Sequence, residues 1–359
     1  MKVSSEARYM GAVLGAAAGD VLGAPHEGLD LSLRPSDVML SQALNPDFML
    51  PLHRLVRFIH DEHQGVVKEV LESAGFWAYG EQTDDTAQAI CVIDSVNTLG
   101  AFEMADITAR LVQWYDGGSG KGLGGTTALS LMLAEKGVDW RRSGQAAIDM
   151  GEVMYQGRDH ETAFSMRAVP SNGSLMRTYP IGLYFSGDLE DIDVAARDLS
   201  LVTHAYDECV AACQLASQMV GRFAEGHPKG EVIDFVRARY LRTFEKAVAA
   251  VNTDFAYAGG VSTTLGIVLE ALMNNDSFED TVVAAVNPHA WSPVERWGYG
   301  YSGPDTDTYG ATVGAMAGAL YGVDSIPERW LSVMHPVSAD ALRQKALLLH
   351  GRSMERLKN

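Results

Sequence analysis

Two short segments hold the residue types best suited to metal chemistry. Thr83-Asp84-Asp85-Thr86 and Asp305-Thr306-Asp307-Thr308 each set two carboxylates beside threonine hydroxyls within four residues. Oxygen donors of this kind are hard ligands, the set that Mg²⁺ or Mn²⁺ prefers. A plainer role is open to the first segment. Thr at a helix start, with acids in the first turn, satisfies free N–H groups and the helix dipole. The second segment repeats the same groups before the Gly/Ala-rich stretch Tyr309–Tyr321. Four clustered carboxylates would repel one another unless divalent cations neutralised them. The chain as a whole is already acidic, with 28 Lys+Arg against 46 Asp+Glu and a formal net charge of −18.

Between the two segments lie two candidate phosphate cradles. One is Gly117-Gly118-Ser119-Gly120-Lys121-Gly122-Leu123-Gly124-Gly125, which leads into a helix at Thr126. The other is Pro170-Ser171-Asn172-Gly173-Ser174-Leu175-Met176-Arg177. Glycine-rich loops at helix starts present backbone N–H groups to phosphate oxygens. The first is not a Walker loop, because Tyr115 stands where Gly is required and Gly122 follows Lys121 in place of Ser or Thr. GxGxxG spacings at Gly120–Gly125 and Gly298–Gly303 follow no strand, which excludes the dinucleotide fold.

The elements that must position these residues are helical. Apolar residues recur at helical spacing over Thr86–Leu99, Met104–Tyr115, Thr126–Glu135 and Ser143–Met154. They recur again over Ile192–Arg222, Glu231–Val251, Ser262–Met273, Phe278–Val286 and Tyr309–Tyr321. Gly, Pro, Asn and Asp clusters separate them, and strand-like alternation is scarce. The expectation is an all-α fold in one domain spanning residues 1–359, with irregular insertions near 29–79 and 287–304. A chain of 359 residues with 47% hydrophobic and 21% charged residues can bury a sizeable core. Cys91, Cys209 and Cys213 form no disulfide or zinc pattern, and the last two read as small buried hydrophobes. The run Gly11–Gly19 imitates a secretory signal, but Glu6 and Asp20 flank it and Leu is sparse. No stretch reaches the length of a membrane span, and a cytoplasmic location is expected. The absence of a basic run argues against a dedicated nucleic-acid binder.

Taken in order, these motifs resemble the ADP-ribosylglycohydrolase family of the dinitrogenase reductase-activating type. The resemblance begins with Gly11, Gly15, Gly19, Asp20, Gly23, Ala24, Pro25, His26 and Glu27. It continues through Thr83–Thr86, the glycine loop, Ser171–Arg177, and Leu201-Val202-Thr203-His204, and it ends at Asp305–Thr308. It implies a single-domain orthogonal helical bundle with a dinuclear Mg²⁺ or Mn²⁺ site in a cleft. It further implies Thr83, Asp84, Asp85, Asp305, Asp307 and Thr308 as metal ligands, with Asp307 shared. Catalysis would rest on Glu27, Asp85 and Asp307. Gly122, Gly124, Ser171, Asn172, Gly173, Ser174 and His204 would line the ADP-ribose cleft, although a buried structural role for His204 is equally open. The pattern departs from the family at Gly303-Pro304, where Gly-Gly is usual.

The function this implies is metal-dependent hydrolysis of the glycosidic bond between ADP-ribose and an acceptor, ADP-ribosyl-arginine on protein first. An ADP-ribosyl small molecule, serine adduct or modified nucleic acid is an alternative substrate. A non-catalytic ADP-ribose binder, or a toxin-neutralising partner, is the alternative class. The aromatic cluster Trp291, Trp297, Tyr299 and Tyr301 is suited to a protein contact or to stacking on adenine, and the plainer role of Trp291 and Trp297 as anchors of a long loop to the core is favoured. His53, His60 and His63 read as exposed loop histidines.

Overall fold

The computed structural model describes residues 3–24, 80–116, 122–155, 170–251, 259–287 and 304–358. Fifteen α-helices form among them, and β structure is limited to the isolated bridges Glu81–His335 and Ser171–Gly260. The first five helices are α1 (Ser5–Gly23), α2 (Asp84–Leu99), α3 (Met104–Asp116), α4 (Gly125–Glu135) and α5 (Trp140–Tyr155). Then follow α6 (Tyr179–Tyr184), α7 (Leu189–Leu201), α8 (Asp207–Ala224), α9 (Lys229–Arg239) and α10 (Leu241–Ala250). The last five are α11 (Val261–Asn274), α12 (Phe278–Val286), α13 (Thr306–Tyr321), α14 (Glu328–Leu331) and α15 (Ala339–Arg356). The all-α expectation holds.

The centre of the molecule is an antiparallel seam between α1 and α13. Glycines four residues apart fall on one helical ridge, and both helices carry such a ridge. Gly11 faces Gly318, Gly15 faces Gly314, and Gly19 faces Gly310. A Cβ placed on Gly15 would lie 2.4 Å from the Gly314 carbonyl oxygen, and one on Gly19 only 1.9 Å from that of Gly310. The two backbones therefore touch, which side chains would prevent. The run that imitates a signal peptide lies in this seam, buried in the core.

Two expected helices are each split in two. The pattern over Ile192–Arg222 breaks between α7 and α8, at residues 202–206. The carbonyls there find distant partners: Ser143 Oγ donates to Val202 O at 2.6 Å and Ser130 Oγ to Thr203 O at 3.1 Å. Gly144 of α5 also presses on this turn, leaving no room for a side chain beside Leu201 O. The pattern over Glu231–Val251 breaks at Tyr240, whose backbone leaves helical geometry. Its hydroxyl donates to Asp193, which also accepts from Arg239 at 2.7 Å. The helix foreseen from Thr86 starts two residues earlier, at Asp84. Cys209 and Cys213 are buried as free thiols. Residues 29–79, Trp291, Trp297, Tyr299 and Tyr301 lie outside the described residues. No described helix is long and apolar enough to cross a membrane.

Candidate active site

Thr83 caps α2, its Oγ1 accepting the Asp85 N–H at 3.2 Å. The capping role foreseen for it is real, and a second set of bonds holds the same turn from outside. Asp20, near the end of α1, accepts the Thr83 N–H at 3.1 Å and the Thr86 N–H at 3.2 Å. It also accepts the Thr86 hydroxyl. Asp20 is fully buried, and burial pushes its carboxyl up to about 6 against the opposing hydrogen bonds from Thr86 and Thr83. One turn along α2, Gln88 donates its Nε2 to Asp84 Oδ2 at 2.8 Å.

The second segment is held differently. Asp305 occupies the cap position of α13, and Thr306 Oγ1 donates to Gly23 O at 2.7 Å. Gly23 touches the same turn through its backbone, since a Cβ there would lie 2.0 Å from Thr306 O. The Thr308 N–H donates to Asp307 Oδ1 at 2.9 Å. Both segments are thus anchored on the last turn of α1. Asp84, Asp85, Asp307, Thr83 and Thr308 are buried, and Asp305 is half-buried.

The Ser171 loop closes onto this pair. It is tied to the start of α11 by Asn172 N–H to Gly259 O at 2.9 Å and Val261 N–H to Pro170 O at 3.0 Å. Asn172 Nδ2 then reaches Thr264 Oγ1 at 2.8 Å and Asp305 Oδ2 at 2.9 Å. One candidate cleft residue therefore bonds one candidate metal ligand. Gly173 packs where a side chain would meet His204 Cε1 and Thr127 Oγ1 at 3.0 Å, so α4 joins the same corner. Gly122, with positive φ, and Gly124 are exposed just before α4. Ser174 is buried, with its hydroxyl 3.0 Å from Ser200 Oγ and 3.4 Å from Cys213 Sγ.

His204 is buried with both ring nitrogens engaged: Nδ1 lies 2.7 Å from Thr203 Oγ1, and Nε2 lies 2.8 Å from Ser171 Oγ. Burial and then the nearby Arg177 charge lower its pKa to about 3, so the ring is neutral. Glu27 lies outside the described residues.

The donors fit a hard divalent cation in kind, being carboxylate and hydroxyl oxygens with no thiolate or imidazole among them. Among the described residues, no three His, Cys, Asp or Glu side chains stand grouped closely enough to hold an ion by themselves. Threonine hydroxyls, backbone carbonyls or water would complete such a set.

Sequence reasoning left Asp20, Gln88, Thr127, Thr264 and Arg177 without roles. Gln88 carried a signal, since i and i+4 share a helix face with Asp84. Arg177 carried another, as a charge amid the apolar run Leu175–Ile181. Thr127 and Thr264 carried none.

Residues 1–357 match the ADP-ribosylglycohydrolase family. The chain belongs to that family. Among its relatives is the ADP-ribosylarginine hydrolase Tri1 of Pseudomonas putida, 28% identical over 264 residues, which cover 71% of this chain and 62% of that protein. The human ADP-ribosylhydrolase ARH3 is 26% identical, with 91% of this chain and 88% of that protein covered. A solved structure titled ADP-ribosylglycohydrolase-related protein complex superimposes with a TM-score of 0.64 at 25% identity, covering 98% of this chain and 99% of the other. The family fold is therefore the one described above. The match spans less than two thirds of the length of the Tri1 hydrolases.

Proposed function

We propose that the protein is a metal-dependent hydrolase that cleaves the glycosidic bond between ADP-ribose and an acceptor, with ADP-ribosyl-arginine on protein as the leading substrate. The observation that carries this reading is the convergence at the end of α1. Asp20 grips one Asp/Thr turn, Gly23 grips the other, and Asn172 links the second to the Ser171 loop. The names of Tri1 and of the Rhodospirillum rubrum ADP-ribosyl-[dinitrogen reductase] glycohydrolase support the same reaction class.

Thr83, Asp84, Asp85, Asp305, Asp307 and Thr308 would hold the ions. When bound, two Mg²⁺ or Mn²⁺ ions would supply Lewis acidity toward the ribose hydroxyls and the attacking water. The chain's own contribution is the carboxylates of the two turns, with Asp84, Asp85 and Asp307 buried and Asp305 half-buried. Negative charge there favours the positive oxocarbenium character that develops at the anomeric carbon. The backbone amides of the Ser171 loop and the glycine loop before α4 would take the pyrophosphate. That arrangement suits an acidic protein. His204, held neutral by burial, would orient the Ser171 loop through its bonds with Thr203 and Ser171. Glu27 is proposed as the acid at the distal ribose.

The test is hydrolysis of arginine-, serine- and nucleic-acid-linked ADP-ribose, with and without chelator. Release of ADP-ribose, fastest from arginine and abolished by chelation, is expected. Asp307→Asn should lose bound metal and most turnover while melting near the wild-type temperature, because Asn can occupy the first turn of a helix. Tight ADP-ribose binding without turnover on any substrate would establish the non-catalytic alternative.

A further inference from the structure

Arg177 closes the short 3-10 turn Leu175–Arg177 and is fully buried. Its Nη1 donates to Gln88 Oε1 and to Gly173 O at 3.3 Å, and its Nη2 donates to Thr203 Oγ1 at 2.5 Å. All three partners are neutral. A buried guanidinium with only neutral partners gives up its hydration without a counter-charge to offset the loss. An apolar side chain would fill this volume without that cost, so packing alone does not account for an arginine here. Burial pulls the guanidinium down to about 10, and Asp84 is the one carboxylate among the charges opposing that fall.

The chemistry of the guanidinium fixes the direction of every bond around it. Arginine has five donors and no acceptor. Gln88 must therefore turn its Oε1 toward Arg177, which leaves its Nε2 to donate to Asp84 Oδ2 at 2.8 Å. With the amide locked, one oxygen of Asp84 is held by a bond of fixed direction. On the other side Thr203 Oγ1 accepts from Arg177 and lies 2.7 Å from His204 Nδ1. His204 Nε2 lies 2.8 Å from Ser171 Oγ, which extends the chain of bonds to the loop. The third bond holds the Gly173 carbonyl, in the middle of the loop that bonds Asp305 through Asn172.

We infer that Arg177 and Gln88 are positioning residues: together they set the Asp84 carboxylate for cation binding and tie that setting to the Ser171–Ser174 loop. The inference rests on the proposed role of Asp84 as a metal ligand. Arg177 acts through Gln88 on one side and Gly173 on the other.

The experiment is calorimetric titration of Mn²⁺ into the full-length wild type, Gln88→Leu, Arg177→Lys and the double variant, with thermal unfolding in chelator as the control for folding. Lysine keeps the charge but cannot reproduce the fork that meets three acceptors. Each single variant should fold and weaken Mn²⁺ binding by roughly 10- to 100-fold, as loss of a bond to a metal-ligating carboxylate does. The double variant should be no weaker than the worse single one, because both break the same link. Should Gln88→Leu fail to fold, Gln88→Met, which fits irregular space, carries the same expectation. Folded variants with Mn²⁺ affinity within twofold of wild type would overturn the positioning role alone. A wild type that takes up no Mn²⁺ would overturn the metal reading and this inference with it.

Discussion

The two Asp/Thr turns are near copies in sequence, yet the fold holds them by opposite means. The turn at Thr83–Thr86 is held by side-chain hydrogen bonds: three to the buried Asp20 carboxylate and one from Gln88 to Asp84. The turn at Asp305–Thr308 is held mainly by backbone against backbone, as the last step of the glycine seam, with the Thr306 hydroxyl and the bond from Asn172 to Asp305 added. Directional bonds fix the orientation of a carboxylate, whereas a seam fixes the height of a helix along its axis. A site assembled from both needs each. The two turns should therefore respond to different injuries.

The largest effect is expected at the seam. Gly314→Leu puts a side chain where a Cβ already lies 2.0 Å from Gly15 O, against backbone that cannot yield. Overpacking of this kind costs about 3 kcal/mol or more, and the variant should lose its cooperative melt by circular dichroism. A melt close to wild type would mean that the seam is not what fixes the second turn. Next comes Asp20→Ala, which strips the acceptor from two buried N–H groups and a hydroxyl. A loss of about 2–3 kcal/mol in chemical denaturation is expected, together with weaker Mn²⁺ binding.

His204 comes third and tests the polar corner. Its folded pKa, about 3, lies below its ordinary value. The stability it confers is complete above pH ~6.5 and is lost as pH falls toward 3, because the unfolded chain takes up a proton that the folded ring refuses. Its share of the slope is at most about 1.4 kcal/mol per pH unit. Denaturation of His204→Gln across the acid range should show a shallower decline than wild type by that amount, and parallel curves would contradict a neutral ring. The smallest effect belongs to Thr306→Val, about 1 kcal/mol for one hydroxyl bond. Metal affinity should hardly change, because the seam still holds the turn. If Thr306→Val harms metal binding as much as Asp20→Ala does, the contrast between the two turns fails.

Much of this was readable from the chain, for physical reasons that can be named. Helix α12 was foreseen at both ends because Ser277 caps it locally, accepting the Asp280 N–H at 3.1 Å. The breaks at residues 202–206 and at Tyr240 were not foreseen. Apolar spacing runs through both without Gly or Pro, and the groups that open them, Ser130, Ser143 and Asp193, come from elsewhere in the fold. The Asp/Thr turns and the Ser171 loop were legible because their chemistry is concentrated in a few consecutive residues. Asp20 and Arg177 were not, since each acquires its role only from a partner supplied by another element; Gln88 shares a helix with Asp84, but the lock on its amide comes from Arg177. The link between Asn172 and Asp305 joins residues 133 positions apart, beyond any local pattern.

The seam also bears on how the protein is made. Helix α1 emerges first, yet Gly23 waits for a partner 283 positions downstream. At bacterial or eukaryotic synthesis rates of roughly 5–20 residues per second, that wait is on the order of 15–60 s. Through that interval an Ala/Gly-rich helix, buried along most of its length in the finished protein, has no ridge to lie against. Its centre cannot be completed by folding in order from the N-terminus. The last quarter of the chain must come back to close it, which makes ribosome-bound intermediates of this protein natural clients for chaperones that shield apolar helices.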